Sequence, residues 1–309
     1  MLSKKEFSSL FFMEAQSQVS AEIRVEEKRV SKINQSVTGV VLSDGSDVGA
    51  VIYPDQYYKQ YERGEDIEKI VGEALQFALG ANYKEMQKYL DGTRKIMGNY
   101  DMVKEHIYPI VINYGENRAF LQEVPHERYL DLAVIAAYIP QEGYEIKVTN
   151  SLAYTWEKTG DEILAQAKEN AASQTPLKLM TMNSLIGEEI MRDEMPLYVL
   201  TNSKCRYGAF GITDTDMLGE LEKKEGELYI FPSSIHEILV TPVNGAPADP
   251  IELEKMVCEI NRSHVEPGEV LASHIYKFRD GKVRIMDKGK EVTLEQYQQN
   301  KRLRSPVLS

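Results

Sequence analysis

The run "LAVIAAYI", Leu132 to Ile139, is the longest apolar stretch in the chain and constrains its fold more than any other segment. An element with no polar residue on either face must be covered on all sides, so the run is either a buried strand or a short core helix. Its length is far below the roughly 20 residues that span a bilayer, and no membrane partner is expected. With "YEIKVT" following as a neighbour, we read it as a buried strand.

A chain of 309 residues exceeds what one core usually supports, so it divides into two or three packed units. The order of patterns gives an α+β fold with mixed or antiparallel sheets and flanking helices. We place an N-terminal helix-hairpin-helices unit at 1–100, a middle α+β unit at 101–190 and a C-terminal α+β unit at 191–309. Phe7, Leu10, Phe11 and Ala15 recur at helical spacing, and "AEIRVEEKRV" alternates loosely as an edge strand does. "SVTGVVLSDGSDVGAVIYP" reads as two strands turning at Asp44-Gly45. Ile67, Ile70, Val71, Ala74 and Leu75 form one helical stripe, and a more polar helix is predicted over 83–96. Further on, "HIYPIVINY" predicts a strand, and Thr159 with Glu162 has capping-box spacing. "MPLYVLTNS" and "YGAFGIT" predict two strands, and "DTDMLGELEKKEG" a surface helix stopped by Gly226. Asp249-Pro250 opens another helix, "SHIYKFRDGKVRIM" is a hairpin about Asp280-Gly281, and Thr293 with Gln296 caps a last helix.

Charge and cysteine content remove several functions. A net charge of −12 argues against broad nucleic-acid binding, which needs a surplus of Lys and Arg on one face. Lys301-Arg302-Leu303-Arg304 is a basic cluster that we read as a solvated tail, with a nucleic-acid contact as a third functional reading. Cys205 and Cys258 stand apart, without the Cys-x-x-Cys of a zinc or redox site, which suits a reducing cytoplasm. The opening "FSSLFFMEAQSQVS" turns polar too soon for a secretory apolar segment.

The residues with chemistry in them concentrate in "LYIFPSSIHEILVTPV". Ser234, His236 and Glu237 are the candidate catalytic residues, and His236, His264 and His274 the candidate metal ligands. If the stretch is an extended strand, Ser234 and His236 share a face while Ser233 and Glu237 take the other, so Glu237 could not orient His236. No Gly-x-Ser-x-Gly elbow is present. His126-Glu127 and His236-Glu237 begin like a zincin helix, but Leu130 and Val240 stand where its second histidine belongs. "DTDMLGE" lacks the oxygen ligand that a calcium loop needs at its fifth position, and no phosphate-cradling glycine motif occurs, so no cofactor is expected. Tyr53, Tyr57, Tyr58 and Tyr61 can form a binding face or border a core. Trp156 is placed where the second unit folds on itself.

Several blocks resemble a bacterial domain-of-unknown-function family, fifty-six eighty-eight: "IYPIVINYGENRAFLQEVPHERYLDLAVIAAY", "LYVLTNSKCRYGAFGI", "LYIFPSSIHEILVTPV" and "NRSHVEPGEVLASHIYKF". The likeness runs over nearly the whole chain in block order. The family's "PSS-x-HE" block falls here on Pro232, Ser233, Ser234, His236 and Glu237, and another block on Leu200, Thr201, Asn202, Gly208 and Ala209. The N-terminal half departs from the pattern at "SKINQSVTGVVLSDGSDVG". A fainter similarity, through Trp156, Thr159 and Glu162, is to family fourteen forty-four. The resemblance implies a cytoplasmic protein in a mobile-element context and assigns no reaction. Our leading expectation is a non-enzymatic protein that binds another protein or a small ligand. The alternative is a hydrolase or metal-dependent enzyme centred on Ser234, His236 and Glu237.

Overall fold

In the computed structural model, which describes residues 1–43, 50–80, 96–141, 145–186, 196–232 and 234–304, the chain forms three antiparallel sheets with flanking helices, an α+β fold. It divides into two compact units, Met1–Asn99 and Tyr100–Ser309. The turn at Asp44-Gly45, nearly all of the polar helix predicted over 83–96 and Ser233 lie outside the described residues.

The first unit opens with the helix Lys4–Gln18, started by a reciprocal Ser3–Glu6 capping box. Its Phe7, Phe11 and Ala15 are fully buried, as their spacing of four requires of one helical face. They pack with a sheet ordered β1 (Arg24–Lys32), β2 (Gln35–Ser43), β3 (Ala50–Ile52), and with Ile70, Val71, Ala74 and Leu75 of the helix Ile67–Leu79. Tyr57, Tyr58 and Tyr61 join this core through ring contacts with Phe7 and Phe11 at 5.2–5.7 Å, so these tyrosines border a core.

The second unit contains two sheets. In one, β6 (Leu132–Tyr138) is central, with β4 (Ile107–Asn113) along one edge and both β5 (His126–Tyr129) and β7 (Ile146–Lys147) along the other. Every residue of β6 is buried, which is the strand form of the apolar run. The helix Gly160–Gln174 covers β4 and β6 with Ile163, Leu164 and Ala167. Thr159 caps it, its Oγ1 accepting from Glu162 N at 3.2 Å while Glu162 Oε2 accepts from Thr159 N at 2.8 Å. Thr159→Ala is therefore expected to cost about 1 kcal/mol, read from the urea midpoint at unchanged slope. Trp156 is buried against Tyr100, with ring centroids 5.5 Å apart.

The other sheet has β8 (Leu177–Thr181), β9 (Tyr198–Asn202), β10 (Leu228–Phe231), β11 (Ile238–Pro242), β12 (Tyr276–Arg279), β13 (Lys282–Asp287) and β14 (Lys290–Val292), in the order β14-β13-β12-β10-β11-β9-β8. The helix Pro250–His264, capped by Asp249 and begun by Pro250, buries Leu253 and Val257 against Tyr229, Ile275 and Met286. The β12–β13 turn holds Asp280 and Gly281 at φ +54° and +70°, as a tight hairpin requires.

One predicted strand is corrected. "YGAFGIT" is a 3-10 helix over Gly208–Thr213. Residues three apart eclipse on such a helix, so Gly208 and Gly211 present one Cβ-free face to β9. A Cβ on Gly208 would lie 2.3 Å from Thr201 Oγ1, and one on Gly211 2.9 Å from Leu200 Cγ. The pair of glycines permits helix backbone to rest directly on strand.

Candidate functional site

β11 begins only at Ile238, so the segment before it is a polar bend that leads into the strand and not itself extended strand. Ser234 is buried there. Its Oγ donates to Glu237 Oε1 at 2.8 Å and accepts from His236 N at 3.0 Å, folding the segment onto itself. The alternating-face arrangement expected of an extended strand therefore does not apply. Glu237 is tied to Ser234, and the bond between Ser234 and His236 runs to the backbone of His236, not to its ring.

The His236 ring is held from two sides. Tyr207 N donates to Nδ1 at 3.2 Å, which makes Nδ1 the lone-pair nitrogen and puts the proton of the neutral ring on Nε2, 3.2 Å from Glu269 Oε1. The main chain is pinned too. Thr201 Oγ1 donates to His236 O at 2.8 Å, and Ile235 N donates to Glu269 O at 3.0 Å. The bend, the end of β9 and the 265–272 connection thus form one hydrogen-bonded assembly.

The loop after β9 completes the wall. Asn202 Oδ1 accepts from Lys204 N and Arg206 N at 3.0 and 3.3 Å, and its Nδ2 donates to Arg206 O at 2.7 Å. This one amide substitutes for a turn and holds Cys205 and Tyr207 at φ +51° and +58°, a left-handed conformation uncommon for residues other than glycine. The Tyr207 ring lies 5.3 Å from that of His236, its hydroxyl meets Glu145, and Arg206 Nη2 donates to that hydroxyl at 3.2 Å. Glu145 also pairs with Lys147. Burial pushes the Glu145 carboxyl up, against the pull of Arg206. Burial, and then the charge of Arg206, pushes the Lys147 ammonium down to about 7.

Asn202, Arg206, Tyr207, His236 and Glu269 border a cleft of about 1060 Å³. Tyr108 and Lys168 come from β4 and the helix Gly160–Gln174, facing Cys205, Tyr207, His236 and Glu269. Cys205 is exposed, whereas Cys258 is half-buried with its thiol donating to Ser273 O at 3.2 Å.

The other candidate residues lie elsewhere. His264 is exposed at the end of its helix beside Ser263. His274 is buried, with Nδ1 3.0 Å from the Tyr297 hydroxyl and Nε2 3.5 Å from Asp131 Oδ2. Among the described residues no three His, Cys, Asp or Glu side chains converge as metal ligands would, so His236, His264 and His274 are not brought together. Lys301 and Arg304 of the basic cluster belong to the helix Leu294–Arg304 and pair with Glu116 and Asp287.

Glu145, Lys147, Tyr207 and Glu269 were missed in the sequence reading. No local pattern marks them, because Glu145, Tyr207 and Glu269 each reach the site through a partner more than 25 positions away, and Lys147 comes with Glu145. Asn202 lies in "LYVLTNSKCRYGAFGI", and an asparagine at the end of an apolar strand is the signal that could have identified the loop.

The sequence model of a family described as "Family of unknown function (DUF5688)" matches residues 4–280. Family fourteen forty-four is not shown by this comparison. No curated protein and no solved structure matches. Among the described residues no helix is long and apolar enough to cross a membrane.

Proposed function

The chain belongs to the family of unknown function DUF5688, and from that premise we propose that its second unit is a binding module whose cleft receives a small polar ligand or a segment of another protein. The observation that carries this reading is the preorganised wall: two left-handed residues in three positions, held by one asparagine side chain and locked to His236. Backbone in sparsely populated conformations persists only where its surroundings over-determine it, and such places gather at ligand sites. Mixed cations, carboxylates and aromatic rings on the walls suit a polar ligand with a flat or apolar part. In this reading His236 orients the wall and the protein works in a reducing cytoplasm, where both thiols stay free.

A hydrolase centred on Ser234, His236 and Glu237 has less support, since the Ser234 proton is directed to Glu237 and both ring nitrogens of His236 already have partners.

Cys205 makes the proposal testable without any mutation. N-Ethylmaleimide is expected to modify Cys205 before Cys258, whose thiol is hydrogen-bonded and pushed up by burial. Small polar compounds and short peptides that raise the melting temperature of the native protein should lose that effect once Cys205 is alkylated. Retention of every such shift would place binding outside the cleft. Consumption of a compound, followed by mass spectrometry and abolished by Ser234→Ala, would favour the enzyme reading.

A further inference from the structure

The helix Leu294–Arg304 has no buried residue. It is attached to the second unit through polar contacts: Tyr297 with His274, Asn300 and Arg304 with Asp287, and Lys301 with Glu116. An element held this way, without an apolar face, belongs to the low-stability part of a fold. Beneath it lies a second cavity of about 240 Å³, separate from the cleft, lined by the loop after β4, by the β5–β6 turn and by the helix itself.

Four cations reach this cavity: Arg118 and Arg128 from the body, Lys301 and Arg302 from the helix. Its two carboxylates are already engaged, Glu116 with Lys301 and Asp131 with Tyr276. Arg128 donates to Leu130 O and stacks over Tyr114. The side chains of Arg118 and Arg302 are exposed and make no hydrogen bond or ion pair among the described residues. In a chain of net charge −12, this concentrates uncompensated positive charge on two facing elements. The planar guanidinium fork matches the oxygens of a phosphoryl group, and the cavity is smaller than the roughly 300–1,000 Å³ usual for drug-sized ligands.

We propose that this cavity binds a small doubly charged oxyanion, either inorganic phosphate or the phosphoryl end of a phosphate monoester, and that the anion clamps the helix Leu294–Arg304 to the body by bridging Arg302 and Arg118. The site is independent of the cleft and of any ligand bound there.

The test is amide hydrogen exchange over 294–304 in the full chain, with potassium phosphate or glycerol 3-phosphate against potassium chloride at matched ionic strength. An anion that binds only the docked helix should slow exchange there roughly tenfold at about ten times its Kd. Slowing by both anions assigns the site to free phosphate, and slowing by the ester alone assigns it to an ester. The Arg118→Ser/Arg302→Ser double variant, which alters only exposed side chains, should lose the effect, while Lys223→Ser on a remote helix should retain it. Equal slowing by chloride, equal slowing in the double variant, or no slowing by either anion would overturn the proposal.

Discussion

Asp131→Ala is expected to remove about 3–5 kcal/mol of stability, enough to leave the second unit only marginally folded. Asp131 is buried in the β5–β6 turn, where its Oδ1 accepts from the fully buried Tyr276 hydroxyl at 3.0 Å and its main-chain oxygen accepts from Tyr114 N at 2.9 Å. Truncation leaves the fully buried Tyr276 phenol without its acceptor and takes the neighbouring carboxylate from His274. Asp131→Asn keeps an acceptor for Tyr276 and should cost less, about 1–3 kcal/mol.

The same group gives a pH dependence. Burial alone would raise the Asp131 carboxyl, but His274 beside it and the Tyr276 hydroxyl outweigh burial and hold it below the ordinary value. A depressed folded pKa contributes stability that is fully present above the unfolded carboxylate value, about 3.9, and is lost as pH falls through the lower folded value. Acid titration of the urea midpoint should therefore show a loss in the wild type below about pH 4 that is smaller in Asp131→Asn.

Gly208→Ala is the second large effect. The new Cβ would meet Thr201 Oγ1 at 2.3 Å, Asn202 N at 2.5 Å and Thr201 Cα at 2.6 Å. Two of these are backbone atoms, so a side-chain rotation cannot relieve the clash and the 3-10 helix must lift off β9. We expect a loss of about 3 kcal/mol, at the upper end for overpacking. The displacement should reach Tyr207, whose N–H bond to His236 depends on this placement, and change the alkylation rate of Cys205. A variant with unchanged stability and unchanged Cys205 reactivity would show that β9 and the 3-10 helix are not in such close contact.

What could be read from the chain was local. The capping box at Thr159 and the cap at Thr293 depend on residues three apart, and the structure has both bonds. The run at Leu132 could be placed because seven consecutive buried residues leave no other environment for it. β5 was not legible, since "HERY" carries no apolar alternation and is a strand only because β6 offers it an edge. "YGAFGIT" was misread as a strand because Tyr207, Phe210 and Ile212 are residues that favour strands, whereas the need for Gly208 and Gly211 comes from β9 lying against them, which is tertiary. The site was half visible. Ser234, His236 and Glu237 were found by residue type, but their partners Thr201, Tyr207 and Glu269 arrive through tertiary hydrogen bonds that no spacing encodes. The bend itself follows from Ser234, a residue whose hydroxyl competes with the strand ladder for backbone N–H groups.

Binding at the cleft beside His236 is tested most directly by a map of amide chemical-shift changes on adding a compound that stabilises the native protein. The expected changes are centred on 202–210, 235–236 and 269, with Tyr207 among the largest. Changes confined to 113–118 and 297–302, or scattered away from the β9 loop, would contradict binding at the cleft.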